Sequence, residues 1–156
     1  MKWLYLLQHL SQKFNMSIES FNTLTKNNIE TEELGIEFSK KISGGDVITL
    51  NGNLGSGKTT FVKGVLKGLN YRAEVTSPTY TLINEYNADF NVIHIDCYRE
   101  KNINRWLNIG LIDYFEGNNI LFIEWPEIIE SILPKEKNNI FFEIVDFNER
   151  VIRCNE

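Results

Sequence analysis

Residues 46–60 read DVITLNGNLGSGKTT, a β-branched run that empties into glycines and then into residues of helical spacing, and no other segment restricts the fold as tightly. Gly52, Gly57, Lys58 and Thr59 fit the spacing G-x-x-x-x-G-K-[ST]. Each position has a physical job. Glycines admit backbone conformations that turn consecutive N–H groups inward, and the helix that follows aims the positive end of its dipole at the same anion. Lys58 would reach the outer phosphates of a nucleotide, and the Thr59 hydroxyl would sit on Mg²⁺. Residue frequencies alone produce such a match with a probability on the order of 0.5%. The order of strand, loop and helix is legible as well, because Phe61, Val62, Val65, Leu66 and Leu69 recur at helical spacing. The anion-binding candidates are therefore Asn53, Leu54, Gly55, Ser56, Gly57, Lys58, Thr59 and Thr60. The plain alternative is a glycine turn with an exposed lysine.

A chain of 156 residues is long enough for one domain with a real core, and 42% hydrophobic with 12% aromatic residues excludes a disordered or collagen-like chain. Residues 1–15 have a short apolar stretch interrupted by Gln8 and His9, with no small-residue cleavage site, so they are expected to be an appendage that precedes Met16 and a single domain over 16–156. No apolar run approaches the roughly 18 residues of a membrane helix, so no membrane association is expected. The formal charge of −5 and the lack of a Lys/Arg run argue against a dedicated nucleic-acid surface. Cys97 and Cys154 have neither metal-ligand nor disulfide-framework spacing, which makes a reducing cytoplasm the default.

Along the chain, a helix is predicted from a Thr31 cap through Leu34, Phe38 and Ile42, stopped by Gly44 and Gly45. Strands are predicted over 80–86 and 91–96 as a hairpin and over 119–124 as a buried run, with a final hairpin from 138–146 and 150–154. Helices are expected over 103–115 and from Pro126. Alternating strands and helices with two hairpins indicate an α/β fold, a three-layer sandwich around a mixed, mostly parallel sheet of the P-loop NTPase type.

A phosphate loop needs a carboxylate from a neighbouring strand to hold Mg²⁺ and a group to place the attacking water. Residues 92–96 (VIHID) and 121–124 (LFIE) both run apolar residues into one acid, so Asp96 and Glu124 are the candidates for catalytic and magnesium work alongside Lys58 and Thr59. As isolated acids they could equally cap the next element. His94 alternates with Asp96 on one strand face, where it is either a core residue or a group that orients the Asp96 carboxylate or accepts a proton. Residues 76–80 (TSPTY) form a hydroxyl-rich, proline-stiffened loop that reads either as a turn or as a γ-phosphate sensor.

The wording GNLGSGKTTFVKG, followed in order by TSPTYTLINEY, HIDCYR, IGLIDYF and IEWPE, closely resembles the bacterial TsaE family, the ATPases of tRNA threonylcarbamoyladenosine biosynthesis. The resemblance runs from about Ser17 to the C-terminus. It implies ATP or ADP binding with Mg²⁺, slow hydrolysis, and work in a complex with the TsaD and TsaB subunits, through which alone tRNA would be met. By the same resemblance Lys58 and Thr59 are the phosphate and magnesium residues, Asp96 the catalytic aspartate and Glu124 the magnesium-linked glutamate. Thr79 and Tyr80 then match a switch-like loop, and Trp125 a tryptophan at a partner-sensitive edge, although core packing is its plain alternative. Asn53 stands where the family usually has Asp, and Ser56 where Ala is common.

Other classes fit less well. A small-molecule kinase needs a lid that contributes arginines, and the chain has only five. A GTPase needs an N-K-x-D sequence, which is absent. A module that binds ATP without turnover has no use for two acids at strand ends.

Overall fold

The strands obey the alternation that a sheet covered on both faces requires. In the computed structural model, which describes residues 18–155, β1 (Phe21–Thr25), β2 (Val47–Gly52), β3 (Ile83–Asn87), β4 (Asn91–Asp96), β5 (Ile120–Glu124), β6 (Asn138–Ile144) and β7 (Arg150–Cys154) form one sheet in the order β1-β7-β6-β2-β5-β4-β3. Ile48, Leu50, Val92, Ile120 and Phe122 point to a core beneath helices α1 (Asn28–Ser39) and α2 (Lys58–Gly68). Val47, Ile93, Ile95, Leu121 and Ile123 point the other way, onto Trp106, Leu111 and Phe115 of α3 (Ile103–Asn108) and α4 (Leu111–Phe115). The strands β6-β2-β5-β4 pair in parallel, so their C-terminal ends share one edge of the sheet. Ligands of open α/β sheets bind beyond that edge.

The mixed α/β architecture is as the sequence predicts, with several corrections. Among the described residues the sheet has three parallel and three antiparallel pairings rather than a mostly parallel ladder, because β3, β7 and β1 each return beside their neighbours. The strand β1 was not predicted: FNTLT has no continuous apolar run and serves as a half-covered edge. Helix α1 begins one turn before the expected Thr31 cap, since the Asn27 side chain accepts from the Glu30 N–H (2.9 Å) while Glu30 accepts from the Lys26 N–H (2.8 Å). Thr31 instead lies buried inside the helix, its hydroxyl 2.8 Å from that of Thr25, and the helix ends at Ser39, short of Ile42. The hairpin strand begins at Ile83, because residues 78–82 close into a turn with the Leu82 N–H on the Pro78 carbonyl (2.7 Å). The helix predicted over 103–115 is two, broken at Gly110 with φ 82°. After Pro126 there are two short 3-10 turns, Pro126–Ile128 and Glu130–Ile132, in place of an α-helix. The final strand pair is confirmed, with β6 ending at Ile144. The appendage 1–15 and the start at Met16 lie outside the described residues.

Helices α1 and α2 touch backbone to backbone. A Cβ on Gly64 would strike the Glu32 carbonyl oxygen, and one on Gly35 the Phe61 carbonyl oxygen, so both crossings require glycine. This approach packs residues 61–65 of α2 directly onto α1. Gly64→Ala is expected to destabilise the protein by about 1–3 kcal/mol of overpacking, read as a fall in Tm of about 3–10 °C in a calorimetric scan. An unchanged Tm would show that the helices separate freely.

Candidate functional site

The loop between β2 and α2 is shaped by its glycines. Gly57 takes a left-handed φ of 103° as the residue before the helix and supplies no side-chain cap, which leaves the first N–H groups of α2 free to meet an anion. The Lys58 side chain folds back into the loop, donating to the carbonyls of Gly52 (2.7 Å) and Asn53 (3.0 Å), with its ammonium 3.8 Å from Glu124 Oε2. Burial pulls the Lys58 ammonium below its ordinary value, while Glu124, Asp96 and Glu127 push in the opposite direction. The Trp125 ring centroid lies 5.0 Å from the same nitrogen. Ser56 Oγ is buried without a hydrogen-bond partner, as a hydroxyl awaiting a polar ligand would be.

Strand parity brings in the acids. Asp96 and Glu124 are register partners across β4 and β5, and both point to the face covered by α2. The two are almost fully buried. One oxygen of Asp96 accepts from the Thr79 hydroxyl and the other from the Tyr98 N–H, each at 2.8 Å, which fixes the carboxylate plane. Glu124 Oε1 lies 2.9 Å from Nε2 of His94, a side chain with no exposed surface. A carboxylate can only accept, so the Nε2–H tautomer fits and Nδ1 is left as a bare acceptor without a partner. His94 therefore orients Glu124 rather than Asp96, the carboxylate the sequence reading paired it with, because the ring reaches across to β5 while Asp96 is held by Thr79 and Tyr98.

These groups surround a cavity of about 550 Å³. Leu54, Gly55, Ser56, Gly57, Lys58, Thr59, Thr60, Thr79, Tyr80, Asp96, Glu124 and Trp125 all line it, so nearly every residue singled out in the sequence is gathered there; Asn53 contributes its carbonyl to Lys58 from just outside. Trp125 both packs on the second core and covers Lys58, which places it inside the site as well as at its edge. Sequence reasoning missed Asn28, Ser77, Tyr98, Arg99 and Arg150. The quoted runs TSPTY and HIDCYR did contain Ser77, Tyr98 and Arg99. Arg150 had no such signal: its guanidinium reaches the Gly55 carbonyl (3.3 Å) from a hairpin far along the chain.

The donors suit a magnesium nucleotide. Among the described residues no three His, Cys, Asp or Glu side chains converge as a metal cage, and Mg²⁺ ordinarily takes one or two carboxylates together with phosphate oxygens and water. Thr59, Asp96 and Glu124 around one cavity provide that partial set. Cys97, next to Asp96, is not a nucleophile: burial and the Asp96 charge push its thiol up to about 12, and burial pushes Cys154 up to about 11. Both thiols are free and buried. A thiol-reactive disulfide reagent at pH 8 is expected to leave both unmodified in the native protein over the time in which both react in guanidinium; rapid native labelling of Cys97 would contradict its placement.

Comparison with known proteins points to one family. A sequence model described as threonylcarbamoyl adenosine biosynthesis protein TsaE matches residues 25–152. The chain is 42% identical over 109 residues to the tRNA threonylcarbamoyladenosine biosynthesis protein TsaE of Bacillus subtilis, covering 69% of this chain and 68% of that one. The protein of the same name from Aquifex aeolicus is 40% identical over 135 residues, which is 80% of this chain and 87% of that one. The crystal structure of Bacillus subtilis YdiB superposes with a TM-score of 0.75 at 33% identity, covering 90% of this chain and 87% of that chain.

Proposed function

The chain belongs to the TsaE family of threonylcarbamoyl adenosine biosynthesis proteins, and on that premise we propose that it is the ATPase of tRNA threonylcarbamoyladenosine biosynthesis, a P-loop NTPase that binds ATP or ADP with Mg²⁺ and hydrolyses ATP slowly. One observation carries this reading above all: Lys58, the uncapped start of α2 and the paired carboxylates Asp96 and Glu124 face one cavity.

The residues divide the work by their contacts. The N–H groups of residues 53–60 and the Lys58 ammonium receive the phosphates, with Lys58 exchanging the carbonyls of Gly52 and Asn53 for them. Thr59, Asp96 and Glu124 hold the ion, which when bound neutralises charge on the outer phosphates. Asp96, oriented by Thr79 and the Tyr98 N–H, orients the attacking water and takes up its proton. Thr79 couples the 76–80 loop to this carboxylate, which is the contact a switch loop needs. The hydrolysis cycle drives or resets a complex with TsaD and TsaB, in which those partners perform the threonylcarbamoyl transfer. A net charge of −5 fits tRNA being met through that complex rather than on this chain. No helix of the described residues is long and apolar enough to cross a membrane, in keeping with work in the cytoplasm.

Lys58→Ala is expected to lose Mg²⁺-ATP binding in isothermal titration calorimetry or to abolish turnover; unchanged affinity together with normal hydrolysis would sink the nucleotide site. Asp96→Asn keeps the shape and one of the two accepting oxygens, so ATP should remain bound while hydrolysis falls at least about 10²-fold, the lower range for losing a positioned acid or base. Glu124→Gln should raise the Mg²⁺ concentration needed for half-maximal rate more than it changes nucleotide affinity. Assayed with TsaD and TsaB, the unsubstituted chain should hydrolyse ATP faster than alone, and an identical rate would remove the partner role.

A further inference from the structure

Three cationic side chains line the cavity, and the nucleotide reading uses one of them. Arg150 is committed to the backbone, since its guanidinium donates to the carbonyls of Asp146, Phe147, Glu149 and Gly55. Arg99 differs. It follows Asp96 by three residues on the loop that leaves β4, and it lines the same cavity as Thr79 and Asp96. Its nearest acidic neighbour in sequence, Glu100, is paired with Arg105 at 3.1 Å. What Arg99 does contact is the ring of Tyr80, with the guanidinium carbon 4.1 Å from the ring centroid. Tyr80 is 81% exposed, so the stack stands at the mouth of the cavity.

We propose that Arg99 is a catalytic arginine supplied by the chain itself, which stabilises the charge on the terminal phosphate and rests on Tyr80 until that phosphate arrives. This rests on the nucleotide reading above. Stacking occupies the face of a guanidinium and leaves the N–H donors in its plane available, so the resting contact prepares the group rather than consuming it. An exposed cation–π contact is also weak enough to be exchanged for a phosphate oxygen. The charge balance calls for such a group. A magnesium ion held by Asp96 and Glu124 would be offset by their two carboxylates, which leaves Lys58 as the one cation in contact with this pair of acids to face the nucleotide's own phosphate charge, and in phosphoryl transfer that charge is spread over the equatorial oxygens of the terminal phosphate. In the reaction, water adds to the terminal phosphorus as the bond to the bridging oxygen breaks, giving ADP and inorganic phosphate; Arg99 donates hydrogen bonds and transfers no proton. Tyr80 belongs to the same loop as Thr79, so the arginine and the water-orienting Asp96 both touch residues 79–80.

The test compares the full chain with Arg99→Ala and Arg99→Lys, with circular dichroism melts confirming that each variant folds. Calorimetry with Mg²⁺-ADP, alone and with aluminium fluoride as a mimic of the transferring phosphoryl group, separates the inner phosphates from the outer one. Arg99→Ala should keep ADP affinity within about twofold, lose the extra affinity conferred by aluminium fluoride, and hydrolyse ATP at least about 10²-fold more slowly, below the 10³–10⁵ given by arginines in this role elsewhere. Arg99→Lys should recover little of the rate, because an ammonium brings charge without the planar fork. Equal response of Arg99→Ala and the unsubstituted chain to aluminium fluoride, or equal loss with ADP alone, would overturn the assignment. Failure of the unsubstituted chain to bind either nucleotide would bring down the nucleotide reading itself and this role with it.

Discussion

The parallel pairing of β4 with β5, in which Asp96 sits opposite Glu124, is the contact on which the rest of the site depends. Side chains alternate along a strand, so a slip of one residue would turn either acid away from α2 and into the core on the other face. The packing forbids such a slip. All five residues of β5 are buried, with Ile120 and Phe122 in one core and Leu121 and Ile123 in the other. The hydrophobic effect that holds the sheet together thereby also fixes the separation and direction of two carboxylates. His94, on the same face of β4, completes the arrangement from inside, since its ring is buried and its Nε2 holds Glu124 Oε1.

Against those acids the fold sets a lysine that is satisfied before any ligand comes. Lys58 bonds to two carbonyls and leans on Glu124 and the Trp125 ring, so its burial does not leave an unpaired charge. Burial lowers its proton affinity, and the neighbouring acids offset that loss only in part. An anion that enters the loop exchanges one set of partners for another, which makes binding a substitution within a prepared cradle.

The sequence carried the site further than it carried the fold. Loop spacing and two apolar runs ending in acids were enough to single out Lys58, Thr59, Asp96 and Glu124, which the fold gathers around one cavity because parallel strands end at a common edge. The element boundaries were less legible, for identifiable reasons. Asn27 outcompeted Thr31 as a cap through a reciprocal bond with Glu30, and nothing local announced that Thr31 would pair with Thr25 instead. The edge strand β1 gains its order from β7, near the far end of the chain. Arg150 was invisible for the same reason: its place beside Gly55 is a product of the β6–β7 hairpin and the sheet order, not of any local pattern.

Trp125 shows how backbone strain enters this arrangement. It follows Glu124 directly and takes φ 54° and ψ 56°, a left-handed conformation that disfavours any residue with a Cβ by about 1–2 kcal/mol. Pro126 comes next and starts the first 3-10 turn, so the chain has one residue in which to leave the strand. Glycine would relieve the strain but would also remove the ring. The centre of that ring lies 5.0 Å from the Tyr98 ring centre and 5.0 Å from the Lys58 ammonium, and the side chain packs on the second core. Tyr98 in turn gives its N–H to Asp96. The indole therefore bridges the two strand ends and the lysine, and these contacts compensate a conformation that a bulky residue at this position would otherwise avoid. Strain of this kind persists where the surroundings over-determine it, and here the surroundings are Lys58, Tyr98 and the second core.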